Sequence, residues 1–250
     1  TSSVNENTED TIERETMSGL FNIIERGRNV TASCGEQGWA IRGIDQRGVG
    51  GSGATLSVFV DDSPLSNQRT LFGPTDSWDL GQVEVFRGPQ STNVGRNALA
   101  GAIYVRTQDP TYDYEVKGRL EYGNNGQRQA AIAGGGAIID DVLAFRIAGN
   151  YRESDGFVFN TFLNEPADAT ELWTGRFKLL FEPTDNFKII STSSYTANFA
   201  AEDVIDVTNG NPGLPVSASQ VIREVPYDTP GRAGPQTFLQ SINSTRALSD

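Results

Sequence analysis

Val83-Glu84-Val85-Phe86-Arg87-Gly88-Pro89-Gln90-Ser91, followed after Thr92-Asn93-Val94 by Gly95-Arg96-Asn97-Ala98-Leu99-Ala100-Gly101-Ala102-Ile103, is the stretch on which the reading of this chain turns. Its first four residues are a strand in miniature, with two valines and a phenylalanine around one charge. Gly88-Pro89 stops that strand, and Ala102-Ile103-Tyr104-Val105 reads as the next. Upstream, Trp39-Ala40-Ile41-Arg42 and Leu56-Ser57-Val58-Phe59-Val60 have the same length and the same Gly, Asp or Pro borders. Further upstream, Ile12, Thr16, Leu20, Ile23 and Ile24 recur at spacings of three and four, one stripe of an amphipathic helix. Asn7 or Thr8 suits its start and Gly27 its end. The residues before that helix read as a polar lead. Helix and strands together predict a small α+β domain over residues 1–110.

Beyond residue 110 the texture changes. Tyr112, Tyr114, Val116, Leu120 and Tyr122 occupy one parity, and Asp113, Glu115, Lys117, Arg119 and Glu121 the other. A strict two-residue period predicts a strand with one apolar and one charged face. Four more strands follow, at Gln127–Ile138, around Leu143–Tyr151, around Trp173–Phe181 and at Phe187–Phe199. Short turns at 124–126, 140–141 and 183–186 alternate with a longer loop over 154–170. Alternation of short turns with long loops is the pattern of outer-membrane barrels. The last stretch, from about Ala200 to Asp250, shows no sustained alternation and reads as a long surface loop. Residues 111–250 are therefore expected to be antiparallel β throughout, with the apolar set Tyr114, Val116, Leu120 and Tyr122 facing lipid. Glu115, Lys117, Arg119 and Glu121 are expected to face the interior.

Composition narrows the chemistry. The 250 residues contain 27 glycines and a formal net charge of −12. Such an acidic chain is repelled by phosphate backbones, which argues against nucleic-acid binding. It contains no histidine and a single cysteine. Histidine-dependent nucleophile systems, HExxH zinc sites, multi-cysteine zinc sites and intrachain disulfides are thereby closed. No run approaches the ~18–20 apolar residues of a spanning helix, which leaves a membrane β-strand open.

Three weaker motifs point elsewhere. Gly48-Val49-Gly50-Gly51-Ser52-Gly53 fits the dinucleotide pattern G-x-G-x-x-G, but a strand follows where a helix N-terminus is needed. Asp203, Asp206 and Asn209 lack the every-second-residue spacing of a calcium loop. Cys34 has no basic partner in sequence and reads as a small packing residue. Neither a cofactor nor a metal is expected.

Taken together, Ile41-Arg42-Gly43, Val60-Asp61-Asp62-Ser63-Pro64-Leu65, the Val83–Ser91 run and the Gly95–Ile103 run resemble, in order and spacing, the plug domain of TonB-dependent outer-membrane receptors. The resemblance covers about residues 8–110, and the alternating strands beyond match the start of the family's barrel. Asp62 stands where the family usually has glycine, a change bearing on that turn. Asn93-Val94 replaces a common Leu-Tyr, and Ala100 replaces the first glycine of a usual pair. A signal peptide, a TonB box and the plug's first strand are not recognisable before the helix. The family barrel has 22 strands and residues 111–250 read as about five, so the chain is expected to be a portion of a longer receptor.

The resemblance implies a receptor that is not an enzyme, lying in the outer membrane of a Gram-negative bacterium and contacting its lipid. It would import a scarce ligand, most often a ferric siderophore, through a barrel gated by the plug and driven by the TonB complex. It implies that Arg42 and Arg87, with Glu84, anchor the plug to the barrel wall. The alternative is an arginine that satisfies only local carbonyls. Gln46, Arg47, Asn67, Gln68, Arg69, Phe72 and Trp78 are the ligand-facing set, with core packing as the competing role for Trp78. A small barrel acting as an adhesin or structural protein, and a soluble carbohydrate-binding or hydrolytic β-protein, are the rival classes.

Overall fold

The computed structural model describes residues 3–14, 19–27, 29–32, 39–45, 55–65, 76–89, 99–157, 159–160, 164–166, 169–184, 186–200, 224–225 and 236–246. Strands β1 (Ser3–Thr8), β2 (Val30–Ala32), β3 (Trp39–Ile41), β4 (Ile44–Asp45), β5 (Leu56–Val60), β6 (Ser63–Pro64), β7 (Leu80–Arg87) and β8 (Gly101–Thr107) accompany helices α1 (Glu9–Arg14) and α2 (Leu20–Glu25). β9 (Glu115–Tyr122), β10 (Arg128–Ile139), β11 (Leu143–Ser154), β12 (Phe159–Asn160), β13 (Glu165–Pro166), β14 (Thr170–Thr184), β15 (Phe187–Ala200), β16 (Glu224–Val225) and β17 (Gln236–Arg246) follow.

The N-terminal strands form one five-stranded sheet, in the order β1-β7-β8-β5-β6, and a small sheet β2-β3-β4. Alternation decides the faces. Leu56, Val58, Val83, Val85, Ile103 and Val105 point to one side, where they bury against Ile12, Leu20, Ile23, Ile24, Trp39 and Ile41. On the other face Phe59 stacks on Tyr104 with ring centres 4.8 Å apart, and Phe86 meets Tyr104 edge-on. Gly101 is required where β7 and β8 approach, because a Cβ there would lie 2.2 Å from the Phe86 carbonyl oxygen. It is the second position of the Ala100-Gly101 pair that needs glycine; Ala100 is simply buried in the core.

Two expectations change here. The polar lead is a strand: Ser3–Thr8 pairs along its length with β7, from Ser3 opposite Arg87 to Thr8 opposite Gln82. Its sequence, Ser-Val-Asn-Glu-Asn-Thr, holds a single apolar residue and so carries no apolar period. The stripe from Ile12 to Ile24 is carried by two short helices, with residues 15–18 outside the described set.

The longer strands form a second sheet in the order β17-β15-β14-β11-β10-β9, antiparallel throughout. Its sixth strand, β17, lies within the stretch read as a long loop; an 11-residue run rich in Ser, Thr, Gln and Asn hides the alternation. Tyr114, Val116, Leu120 and Tyr122 are 78%, 80%, 85% and 82% exposed on the outer face. Ile132, Ile147, Trp173, Phe177 and Ile242 continue that apolar face. No helix among the described residues is long and apolar enough to cross a membrane.

Candidate functional site

The inner face of the six-stranded sheet is built in rows. Arg119, Ala131, Asn150 and Thr174 lie side by side across β9, β10, β11 and β14. The next row is Lys117, Ala133, Ala148 and Arg176, and the next Glu115, Gly135, Arg146 and Lys178. Ala131, Ala133 and Ala148 make a small patch on this wall, with the cations Lys117, Arg119, Arg146 and Arg176 around it.

Into the small patch goes Trp78. The indole is 3% exposed and packs on Ala131, Ala133 and Ala148. Its Nε1 donates to the Ile132 carbonyl oxygen at 3.1 Å. The Lys117 ammonium lies 5.5 Å and the Arg119 guanidinium 5.1 Å from the ring centre, within cation–π range. Residues on either side bring acids to the flanks. Asp76 accepts from Asn150 at 2.7 Å, from Thr174 at 2.6 Å and from the Trp78 amide at 3.0 Å. Asn150 also takes up Gln129, extending the network along the wall.

Asp79 is the centre. Its side chain is fully buried, and Arg146, itself 4% exposed, approaches within 2.6 Å through Nη2 and 3.0 Å through Nε. Lys117 lies 3.3 Å and Arg176 3.6 Å away. Arg176 also donates to the Trp78 and Asp79 carbonyl oxygens. The backbone of Asp79 is left-handed, with φ at 58°, a region that aspartate tolerates better than most residues. A buried carboxylate survives only when its charge and lone pairs are matched, and three cations with a forked Arg146 contact do so.

A second contact lies by the chain passage from one sheet to the other. Lys178, 2% exposed, reaches Asp61 at 3.2 Å, Asp109 at 2.9 Å and the Thr107 carbonyl oxygen at 3.0 Å. Asp61 also accepts from the Thr107 amide and hydroxyl. Asp61 and Asp62 form a two-residue hairpin turn between the paired Val60 and Ser63, with φ of 45° and 64°. Aspartate at position 62 thus keeps the conformation that glycine would provide.

The sequence-predicted residues fall in different places. Arg42 and Gly43 form a hairpin turn of the same kind, with φ of 53° and 77°. A Cβ on Gly88 would lie 3.7 Å from the Arg42 Nη1, so the two arginine-glycine motifs meet. Arg42 is exposed and Arg87 half-buried; both have interaction partners. Glu84 lies opposite Tyr104 in the first sheet. Burial, then the charges of Asp62 and Glu84, push the Tyr104 hydroxyl above its usual range. Trp78 is held in the wall contact. Gln46, Arg47, Asn67, Gln68, Arg69 and Phe72 lie outside the described residues, as do Cys34, Gly48–Gly53 and the Asp203, Asp206 and Asn209 group. Among the described residues there is no group of three or more metal-ligating side chains.

Lys117 and Arg119 sit on the interior parity that alternation predicts. Asp76, Asp79, Arg146, Arg176 and Lys178 were not singled out by the motifs. The available signal was three cations set at inward positions of otherwise apolar strands.

An α+β domain seated by charge pairs on the inner face of an antiparallel β-wall, six strands of an incomplete barrel, defines the fold. Residues 1–102 match the family model of the TonB-dependent Receptor Plug Domain. That match spans 102 of the 250 residues, and the chain spans only a small part of the length of the curated relatives it matches. Over 81 residues it is 36% identical to the ferrioxamine B receptor of Salmonella typhimurium (strain SL1344), a match covering 32% of this chain and 12% of that one. Over 133 residues it is 25% identical to the vitamin B12 transporter BtuB of Vibrio vulnificus (strain YJ016), covering 47% and 22%. The fold matches the ferric yersiniabactin uptake receptor FyuA from Yersinia pestis with a TM-score of 0.68 at 20% identity, covering 80% of this chain and 32% of FyuA.

Proposed function

We propose that this chain belongs to an outer-membrane receptor that imports a ferric siderophore, with residues 1–110 gating the barrel begun by residues 111–250. The observation that carries the reading is the plug-domain match at residues 1–102, joined to a plug docked on a wall whose outer face is apolar. The likeness to the ferrioxamine B receptor favours a siderophore; the weaker likeness to a vitamin B12 transporter makes cobalamin the competing cargo. The matched relatives are named as receptors and transporters, the description of the matching family model supports a TonB-energised partner, and the apolar outer face of the wall supports a membrane site.

Arg42 and Arg87, with Glu84, are proposed to add anchoring through carboxylates of further barrel strands. Gln46, Arg47, Asn67, Gln68, Arg69 and Phe72 are proposed to meet the cargo, whereas burial of Trp78 favours a wall-docking role for that residue. Uptake tests the reading: the full-length receptor in cells lacking other siderophore receptors is expected to accumulate radioiron supplied as a ferric siderophore only when TonB is present. Accumulation equal to that of an empty vector across trihydroxamate and tris-catecholate complexes would contradict it, and cobalamin uptake alone would redirect it.

A further inference from the structure

Two segments of the plug some seventy residues apart converge on the same pair of residues. Glu9 opens α1 immediately after the last residue of β1. Its carboxylate accepts from the Lys117 ammonium at 2.7 Å and from the Gln108 side-chain amide. Lys117 lies 3.3 Å from Asp79, and the Gln108 backbone amide donates to the Asp79 carbonyl oxygen at 3.0 Å. Each of the two residues therefore touches Glu9 on one side and Asp79 on the other.

Charge makes the connection more than geometric. Among the described residues, ion pairs join Lys117, Arg146 and Arg176 to Asp79, Glu115 and Glu9, three cations to three carboxylates. If β1 leaves the sheet edge and carries Glu9 with it, Lys117 loses its 2.7 Å carboxylate contact while it stands 3.3 Å from the buried Asp79, and charge pairs at a buried site are costly to break.

We propose that Lys117 is a positioning residue that couples docking of the N-terminal strand to the Asp79 clamp on the wall. The strand and the clamp are set and loosened together. On the importer reading, on which this consequence rests, a change at β1 reaches the barrel wall through Lys117 rather than through the apolar core.

Amide exchange in the full-length receptor, in lipid nanodiscs, tests the coupling. Glu9→Gln is isosteric and removes one charge at a partly exposed position, so assembly is expected to survive. It should speed exchange about fivefold both in Ser3–Thr8 and in Asp76–Leu80, as expected for losing a partly exposed ion pair. Lys117→Gln should do the same, and the Glu9→Gln, Lys117→Gln double variant should be no faster than either single variant. Lys117→Arg, which retains the charge, should keep wild-type exchange in both segments. An effect of Glu9→Gln confined to Ser3–Thr8, or additive effects in the double variant, would overturn the proposal. If Lys117→Gln fails to assemble, the Glu9→Gln result alone decides. Coupled exchange in a receptor whose wild type imports no iron complex would leave the coupling standing and defeat the importer reading.

Discussion

The plug holds itself together and holds the wall by different chemistry. Its own core is apolar: Leu20, Ile23, Ile24, Trp39, Val83, Val85 and Ile103 are buried against one another. Its grip on the wall is polar, with Asp61, Asp76 and Asp79 on the plug and Lys117, Arg146, Arg176 and Lys178 on the strands. Among the described residues, Trp78 and three alanines form an apolar cluster within that contact. Apolar burial is non-directional and favours staying folded under any small displacement. Charge pairs depend steeply on geometry and exchange readily with water once opened. On the importer function proposed above, a plug that stays folded while its seating changes is suited to this division.

The largest expected effect lies in the clamp. Asp79→Ala leaves Arg146 and two further cations facing each other in a buried site, and should weaken plug seating by about 3–5 kcal/mol. Limited proteolysis of the plug in the assembled receptor measures it; a wild-type cleavage rate would break the division between core and clamp. Trp78→Ala comes next, since removing a buried tryptophan side chain costs about 3–5 kcal/mol where the wall cannot collapse on the space. Part of that loss should be regained when Ala133 is enlarged to leucine, read by the same proteolysis.

Gly101→Ala probes the other side of the comparison. Its Cβ would press on the Phe86 carbonyl, forcing β7 and β8 apart at a cost of about 1–3 kcal/mol. The loss should appear in thermal unfolding of the plug while Arg146 still pairs with Asp79. Smallest of all is the surface pair Arg128 and Glu153, at 3.1 Å on the wall's exposed rim. Arg128→Ala should leave unfolding unchanged within about 0.5 kcal/mol.

Much of the plug was legible because its motifs lie within runs of ten or twenty residues. The strand at Val83–Arg87 and the turn at Gly88-Pro89 declare themselves through local chemistry, whereas Arg42, read as the end of a strand, stands with Gly43 in a hairpin turn. The parity of Lys117 and Arg119 likewise predicted an interior face. β1 escaped because its sequence, Ser-Val-Asn-Glu-Asn-Thr, holds one apolar residue and cannot show an apolar period. β17 escaped for the same want of contrast. The clamp was the least legible. Asp79 precedes Arg146 by 67 residues and Arg176 by 97, and only the register of β11 and β14 brings both arginines to one carboxylate. Trp78 shows the ambiguity in one residue, since a tryptophan at the end of a loop suits a ligand surface and a wall pocket equally.

The electrostatic grip is tested most directly by a double-mutant cycle on Asp79→Asn and Arg146→Gln in the full-length receptor, read as amide exchange at Asp76–Leu80. Each single variant should lose most of the protection there, and the double variant should be no less protected than the worse single one, because it removes both charges of one pair. Strictly additive losses would mean that Asp79 and Arg146 do not act on each other, and that packing around Trp78 holds the plug to the wall.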